Sequence, residues 1–126
     1  MNLRNPLARV RGLGSAKEGT HHWWAQRLTA IALIPLIIWL IFTLVYMANH
    51  DHVTVTTWMS SPIVAGLLIL FLFSLFHHAQ LGMQVVIEDY IDCEVLKISC
   101  IILNKFIMIF AGLVSIISVL KVFLGL

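Results

Sequence analysis

The stretch LTAIALIPLIIWLIFTLVYMAN, residues 28–49, decides the fold because its 22 residues include no Asp, Glu, Lys or Arg. At about 1.5 Å per residue, a helix of this length spans roughly 33 Å, enough to cross the hydrocarbon layer of a membrane. Pro35 would break such a helix in water, but neighbouring helices in a membrane bundle can satisfy the carbonyl that it frees. The stretch therefore predicts a membrane-spanning helix at about residues 28–48.

Two further apolar stretches follow the first. No Asp, Glu, Lys or Arg occurs between Asp51 and Glu88, and Pro62 suits the first turn of a helix. A charged turn then precedes a third apolar stretch. We predict an all-α membrane protein that forms a single domain, residues 1–126, with a polar N-terminal segment 1–27 and spans at about 28–48, 62–87 and 98–120.

The composition excludes several classes of protein. Of 126 residues, 60% are hydrophobic and only 11% are charged, too few to cover the surface of a soluble domain. The net charge of +2 is too small to indicate a nucleic-acid partner. Cys93 and Cys100 have neither the spacing of a metal knuckle nor that of a disulfide framework. So short a chain buries little core of its own, and we expect larger partner subunits.

The basic residues predict the orientation. Five of the eight Lys and Arg residues precede residue 28, and none lies between residues 49 and 61. Because basic residues remain on the cytoplasmic side, the N-terminus is expected in the cytoplasm and the C-terminus in the periplasm.

His78 is the outstanding candidate for chemistry, because an ionisable group deep in a membrane needs a reason to be there. Asp89 lies eleven residues later, so His78 is roughly 16 Å along the helix from the interface. Ser74, Gly82 and Asp89 share its face, whereas His77 points about 100° away. A neutral imidazole there could ligate haem iron or form a helix-to-helix hydrogen bond, and the residues alone leave the two equally open.

Two other groups lie where helices meet the cytoplasmic interface. Tyr90 and Asp89 could donate a hydrogen bond and protons to a quinone, although such residues at an interface are more often simply solvated. Arg27 could pair with an anion such as a haem propionate, as could His21 more weakly. A tryptophan belt with a basic anchor is the commoner explanation for that second cluster.

Two stretches carry a resemblance to a known family. HAQLGMQVVIEDY, residues 78–90, resembles the second helix of the smaller, D-type hydrophobic membrane anchor of succinate dehydrogenase (complex II), in which a His is followed by Gly at four and by Asp-Tyr at eleven and twelve. GLGSAKEGTHHWWAQRLTAIALIP, residues 12–35, resembles the alphaproteobacterial branch of that family. The resemblance covers nearly the whole chain.

The resemblance implies specific roles. His78 would be one axial ligand of a haem b, with the other supplied by the cytochrome b anchor subunit, and Gly82 would pack against the haem. Tyr90 would bind ubiquinone, with Asp89 shaping that site. Arg27 and His21 would hold the haem propionates.

The implied setting is a multi-pass anchor in the bacterial inner membrane. Its partners would be the cytochrome b anchor, iron–sulfur and flavoprotein subunits, and electrons would pass from succinate to quinone. This polypeptide would be a non-catalytic subunit of the enzyme complex.

Two alternatives remain, a related oxidoreductase anchor and a protein of another class. The first is the anchor of a fumarate reductase that uses menaquinone. The second is a small transporter or channel subunit without a cofactor, in which His78 would line a polar path. Few deep polar residues support that path: Thr43 in the first span and Asn104, Ser115 and Ser118 in the third.

Overall fold

The computed structural model describes residues 17–126, and α-helices are the regular secondary structure of this part of the chain. Its helices are α1 (Lys17–Met47), α2 (His52–Met59), α3 (Pro62–Tyr90) and α4 (Glu94–Leu124). Three of them, α1, α3 and α4, are long and apolar enough to cross a membrane. The prediction of an all-α chain with three spanning helices is therefore confirmed.

The long helices extend past the predicted spans. Helix α1 begins at Lys17 rather than near residue 28, and it continues through Pro35 without ending. Helix α3 starts with Pro62 in its first turn, as predicted, and runs to Tyr90. An apolar stretch predicts only the part of a helix that lies in the bilayer. The helix itself continues through the polar residues that flank this stretch, because their backbone groups are also hydrogen-bonded.

The segment between the first and second predicted spans contains a short helix, α2. Asp51 caps its N-terminus, since the Asp51 carboxylate accepts hydrogen bonds from the Thr54 hydroxyl and, at 3.3 Å, from the Thr54 backbone N–H. These bonds, the hydroxyl first, hold the pKa of Asp51 below its ordinary value. The capping pattern Asp-x-x-Thr explains why polar residues form a helix here.

Helix α3 is central and packs against α1 and α4. A small apolar cluster forms where Ala65 and Leu68 of α3 meet Val119 of α4. Among the described residues, six hydrophobic side chains are buried and most large ones are exposed. An exposed apolar surface of this extent suits lipid or another membrane subunit rather than water.

Close approach and one polar contact join α3 to α4. A Cβ built on Gly112 would lie 3.5 Å from the Phe76 ring, an ordinary van der Waals distance, so Gly112 lies directly at the contact between the two helices. The buried side chain of Asn104 donates a hydrogen bond from Nδ2 to the Gln80 carbonyl oxygen at 3.1 Å. Small residues and interhelical hydrogen bonds are the usual means of helix association in lipid.

Candidate functional site

His78 lies at the contact between α3 and α1. Its Nδ1 is 3.0 Å from Oγ1 of Thr29, and the imidazole is half-buried. Along α3, His78 is about 24 Å from Pro62 and about 18 Å from Tyr90. The imidazole therefore belongs to the interior of the span, away from both ends of the helix.

Gly82 lies one turn farther along the same face of α3. A Cβ at Gly82 would be 3.7 Å from Nε2 of Gln26, an ordinary van der Waals distance. Ser74, one turn before His78, is buried. Because Thr29 faces His78 and Gln26 faces Gly82, α1 and α3 run antiparallel, and the start of α1 lies at the same end of the bundle as Tyr90.

Two polar atoms on α1 are buried without a hydrogen-bond partner in residues 17–126. They are Nε2 of His22 and Oε1 of Gln26. His22, Gln26 and Thr29 are spaced by four and three residues, so they share one face of α1. With His78 they form what we call the polar seam. A buried polar atom without a partner is costly in free energy, so these two atoms are an unusual feature of α1.

His77 faces a different neighbour from His78. Its ring stacks on Phe73, with centroids 5.9 Å apart, and it lines a cleft between α3 and α4 beside Phe76 and Gly112. The structure thus gives the two adjacent histidines different surroundings, as the 100° helical spacing predicts. Only His78 belongs to the polar seam.

Tyr90 and Asp89 lie at the end of α3, and both are exposed. The Tyr90 side chain is 82% exposed, and neither residue's side chain forms a hydrogen bond within residues 17–126. Both groups are consequently accessible to a ligand or to a neighbouring subunit.

Arg27 and His21 are also exposed, and the structure does not bring them to His78. The Arg27 guanidinium lies over the Trp23 ring, 5.4 Å from its centroid. Arg27 precedes Thr29 by two residues, which places it about 200° away around α1, on the side opposite His78. This cation–π pair is therefore presented outward from the α1–α3 contact.

Sequence reasoning missed Thr29 and Gln26. It singled out Thr43 as the deep polar residue of the first span, but the Thr43 hydroxyl donates to its own helix, to the Trp39 carbonyl at 2.7 Å. The spacing of His22, Gln26 and Thr29 was the available signal, because three polar residues on one face of a spanning helix predict a polar contact.

The imidazole of His78 offers one nitrogen that would suit the iron of a haem, the cofactor that the resemblance implies. No group of three His, Cys, Asp or Glu side chains that could hold a metal occurs within residues 17–126. Nε2 of His78 has no hydrogen-bond partner in the same part of the chain and is not sealed off by its atoms. A neutral imidazole with an accessible nitrogen can serve as one axial ligand, and a second ligand would come from elsewhere.

Known proteins are similar to this chain in sequence over most of its length. The model of the succinate dehydrogenase/fumarate reductase transmembrane subunit family matches residues 1–119. A succinate dehydrogenase hydrophobic membrane anchor subunit of Rickettsia bellii is 38% identical over 119 residues, 94% of each chain. The succinate dehydrogenase membrane anchor subunit of Reclinomonas americana is 35% identical over 74% of this chain and 80% of its own.

A third relative, the hydrophobic membrane anchor subunit of Paracoccus denitrificans succinate dehydrogenase, is 29% identical over 71% of this chain and 70% of its own. The family match spans more than half of the chain, and the relatives are named as anchors rather than as catalytic subunits. This chain therefore belongs to the succinate dehydrogenase/fumarate reductase transmembrane subunit family, as a non-catalytic succinate dehydrogenase membrane anchor with the multi-pass architecture of a bacterial inner-membrane protein.

Proposed function

We propose that this anchor contributes His78 as one axial ligand of a haem b and Tyr90, with Asp89, as part of a ubiquinone site. The second haem ligand would come from the cytochrome b anchor subunit. Electrons from succinate would reach the quinone through the flavoprotein and iron–sulfur subunits. When bound, the haem would supply a one-electron redox centre within the membrane.

The arrangement of the two nitrogens of His78 carries the proposal. Nδ1 is engaged with Thr29 across the α1–α3 contact, while Nε2 has no partner in the described chain. The helix-to-helix hydrogen bond and haem ligation, open alternatives from sequence, are therefore compatible because each uses a different nitrogen.

The quinone role rests on exposure and on position. Reduction of a quinone to a quinol takes two electrons and two protons. The Tyr90 phenol can donate a hydrogen bond to a quinone carbonyl, and the Asp89 carboxylate at the membrane interface can pass protons from water. Both side chains are exposed and uncommitted within the described residues. Gly82, His21 and Arg27 remain candidates for haem packing and propionate contacts.

The exposed apolar surface of α1 supports a partner anchor. Helix α1 exposes large hydrophobic side chains along much of its length. A second membrane subunit that packs against α1 would cover this apolar surface.

A transporter or channel role receives no support from the other deep hydroxyls. Thr43, Ser115 and Ser118 each donate to a backbone carbonyl of their own helix, so none is directed toward a shared polar path. The family description covers fumarate reductase as well, but the relatives described above are succinate dehydrogenase anchors. Quinone extraction from the purified complex would distinguish ubiquinone from menaquinone.

The test is purification of the whole complex through a tag on this chain, followed by a reduced-minus-oxidised spectrum. Three partner subunits and a haem b are expected with the parent chain. His78→Ala should abolish the haem b signal, whereas the matched variant His77→Ala should retain it. An unchanged haem signal in His78→Ala would contradict the ligand assignment.

A further inference from the structure

We infer that Thr29 is the positioning residue that fixes the tautomer and the ring orientation of His78. The inference deepens the proposed function, because it concerns how His78 is prepared to bind a metal through Nε2. It depends on three hydrogen-bond distances around one hydroxyl oxygen, and it assigns a role to a residue that sequence reasoning missed.

The Thr29 hydroxyl has three neighbours within hydrogen-bond distance. Its Oγ1 lies 2.7 Å from the Ala25 carbonyl oxygen, 3.1 Å from the Gln26 carbonyl oxygen and 3.0 Å from Nδ1 of His78. A hydroxyl has one hydrogen to donate and two lone pairs that can accept. The two carbonyl oxygens can only accept, so the single hydroxyl hydrogen is directed to them.

The direction of the third bond follows from that count. Because the Thr29 hydrogen is committed to its own helix, Oγ1 offers only lone pairs to His78. Nδ1 must therefore carry a hydrogen and donate it to Oγ1. A neutral imidazole has one N–H, so Nε2 of His78 is left with its lone pair, which is the form that a metal requires.

Burial of Thr29 stabilises its hydrogen bond with His78. Thr29 is 7% exposed, so water does not compete readily for its hydroxyl. The hydroxyl is also held by back-bonds to α1, which fixes the direction of its lone pairs relative to His78. Partners of this kind on the far nitrogen of a metal-binding histidine set its tautomer, orient its ring and raise its basicity.

Two variants of Thr29 test the role in the intact, purified complex. Thr29→Val keeps the branched shape of the side chain and removes the hydroxyl, while Thr29→Ser keeps the hydroxyl. Thr43→Val is the matched control, because the Thr43 hydroxyl makes the same kind of back-bond in α1, to Trp39, and bonds no histidine within the described residues. The readouts are the rate of haem transfer to an excess of apo-globin and the haem midpoint potential.

Thr29→Val is expected to release haem about 10–100-fold faster than the parent complex. It should also shift the midpoint potential in the positive direction, because a less basic ligand stabilises the ferric state less. Thr29→Ser and Thr43→Val should match the parent complex. The inference would be overturned if Thr29→Val retained haem like the parent, or if Thr29→Ser lost it equally.

The His78→Ala background separates positioning from simple packing. If Thr29 acts through His78, adding Thr29→Val to His78→Ala should not lower the yield of assembled complex any further. A further loss of assembly would overturn the inference, since Thr29 would then act on helix packing. The two proposals can also fail separately: haem retained in His78→Ala contradicts the ligand assignment, whereas a parent-like Thr29→Val contradicts the positioning role alone.

Discussion

Asn104 of α4 donates a hydrogen bond from Nδ2 to the backbone carbonyl oxygen of Gln80 in α3, across 3.1 Å. The carbonyl of Gln80 belongs to the segment between His78 and Gly82, so the bond ties the site-bearing part of α3 to α4. A buried amide that bonds a neighbouring helix stabilises association in lipid, where an unpaired amide would be costly.

Asn104→Leu should weaken the contact between α3 and α4, because it removes the hydrogen bond from the Asn104 side chain to the Gln80 carbonyl that joins the two helices. We expect a loss of about 1 kcal/mol, measured by titration of the purified complex with a denaturing detergent. Ser118→Ala is the control, since the Ser118 hydroxyl bonds only its own helix at Val114. Equal stability of Asn104→Leu and the parent complex would contradict the structural role of this bond.

Tyr90→Phe should slow ubiquinone reduction about tenfold, the value of one hydrogen bond worth roughly 1.4 kcal/mol. Succinate oxidation by an artificial soluble dye should be unchanged, because the dye does not use the quinone site. Steady-state assays with each acceptor measure both rates. Tyr46→Phe serves as the control. Tyr46 is also exposed, but it lies near the end of α1, at the opposite end of the bundle from Tyr90. Ubiquinone reduction at the parent rate in Tyr90→Phe would count against the quinone role.

Gly82→Ala tests whether a haem packs closely against Gly82. A Cβ at Gly82 would meet Gln26 Nε2 at an ordinary 3.7 Å, so the chain itself has room for alanine. If a haem packs against Gly82, the added methyl group should lower the haem content of the purified complex, measured per flavin. Gly112→Ala is the control, since its Cβ would lie 3.5 Å from the Phe76 ring in the other helix contact. The same haem content in both variants would exclude close haem packing at Gly82.

The cap of α2 should depend on pH. The folded-state pKa of Asp51 is lowered by its bonds to Thr54, so the stabilisation from the charged cap is present above the ordinary value of 3.8. It should be lost as the pH falls through the lower, folded-state pKa. Hydrogen exchange at Thr54, corrected for the intrinsic pH dependence, measures the fraying of the first turn.

Two Asp51 variants complete that experiment. Asp51→Ala should fray the first turn of α2 at neutral pH, because alanine cannot accept a hydrogen bond. Asp51→Asn should preserve the cap and remove the pH dependence, since its amide oxygen accepts a bond but does not titrate in this range. Protection at Thr54 that stayed constant with pH in the parent chain would refute the charged cap.

Much of the fold could be predicted from local composition. The absence of Asp, Glu, Lys and Arg over the thickness of a bilayer predicts each span, and the Pro62 start of α3 followed from a local preference. The extension of α1 back to Lys17 and the α2 helix were not predicted. Both parts lie outside the predicted spans because hydropathy indicates contact with lipid, whereas helix formation also depends on caps such as Asp51.

The sequence by itself determined that the chain spans the membrane three times and that His77 and His78 point in different directions, because composition and helical spacing depend only on neighbours along the chain. Only the tertiary structure decided that His78 meets Thr29 while His77 lines the cleft beside α4. Which side of one helix faces another is set by many weak packing contacts and a few hydrogen bonds between distant residues. The rotation and depth of α1 against α3 therefore come from their packing, and they bring a threonine to the histidine 49 positions later.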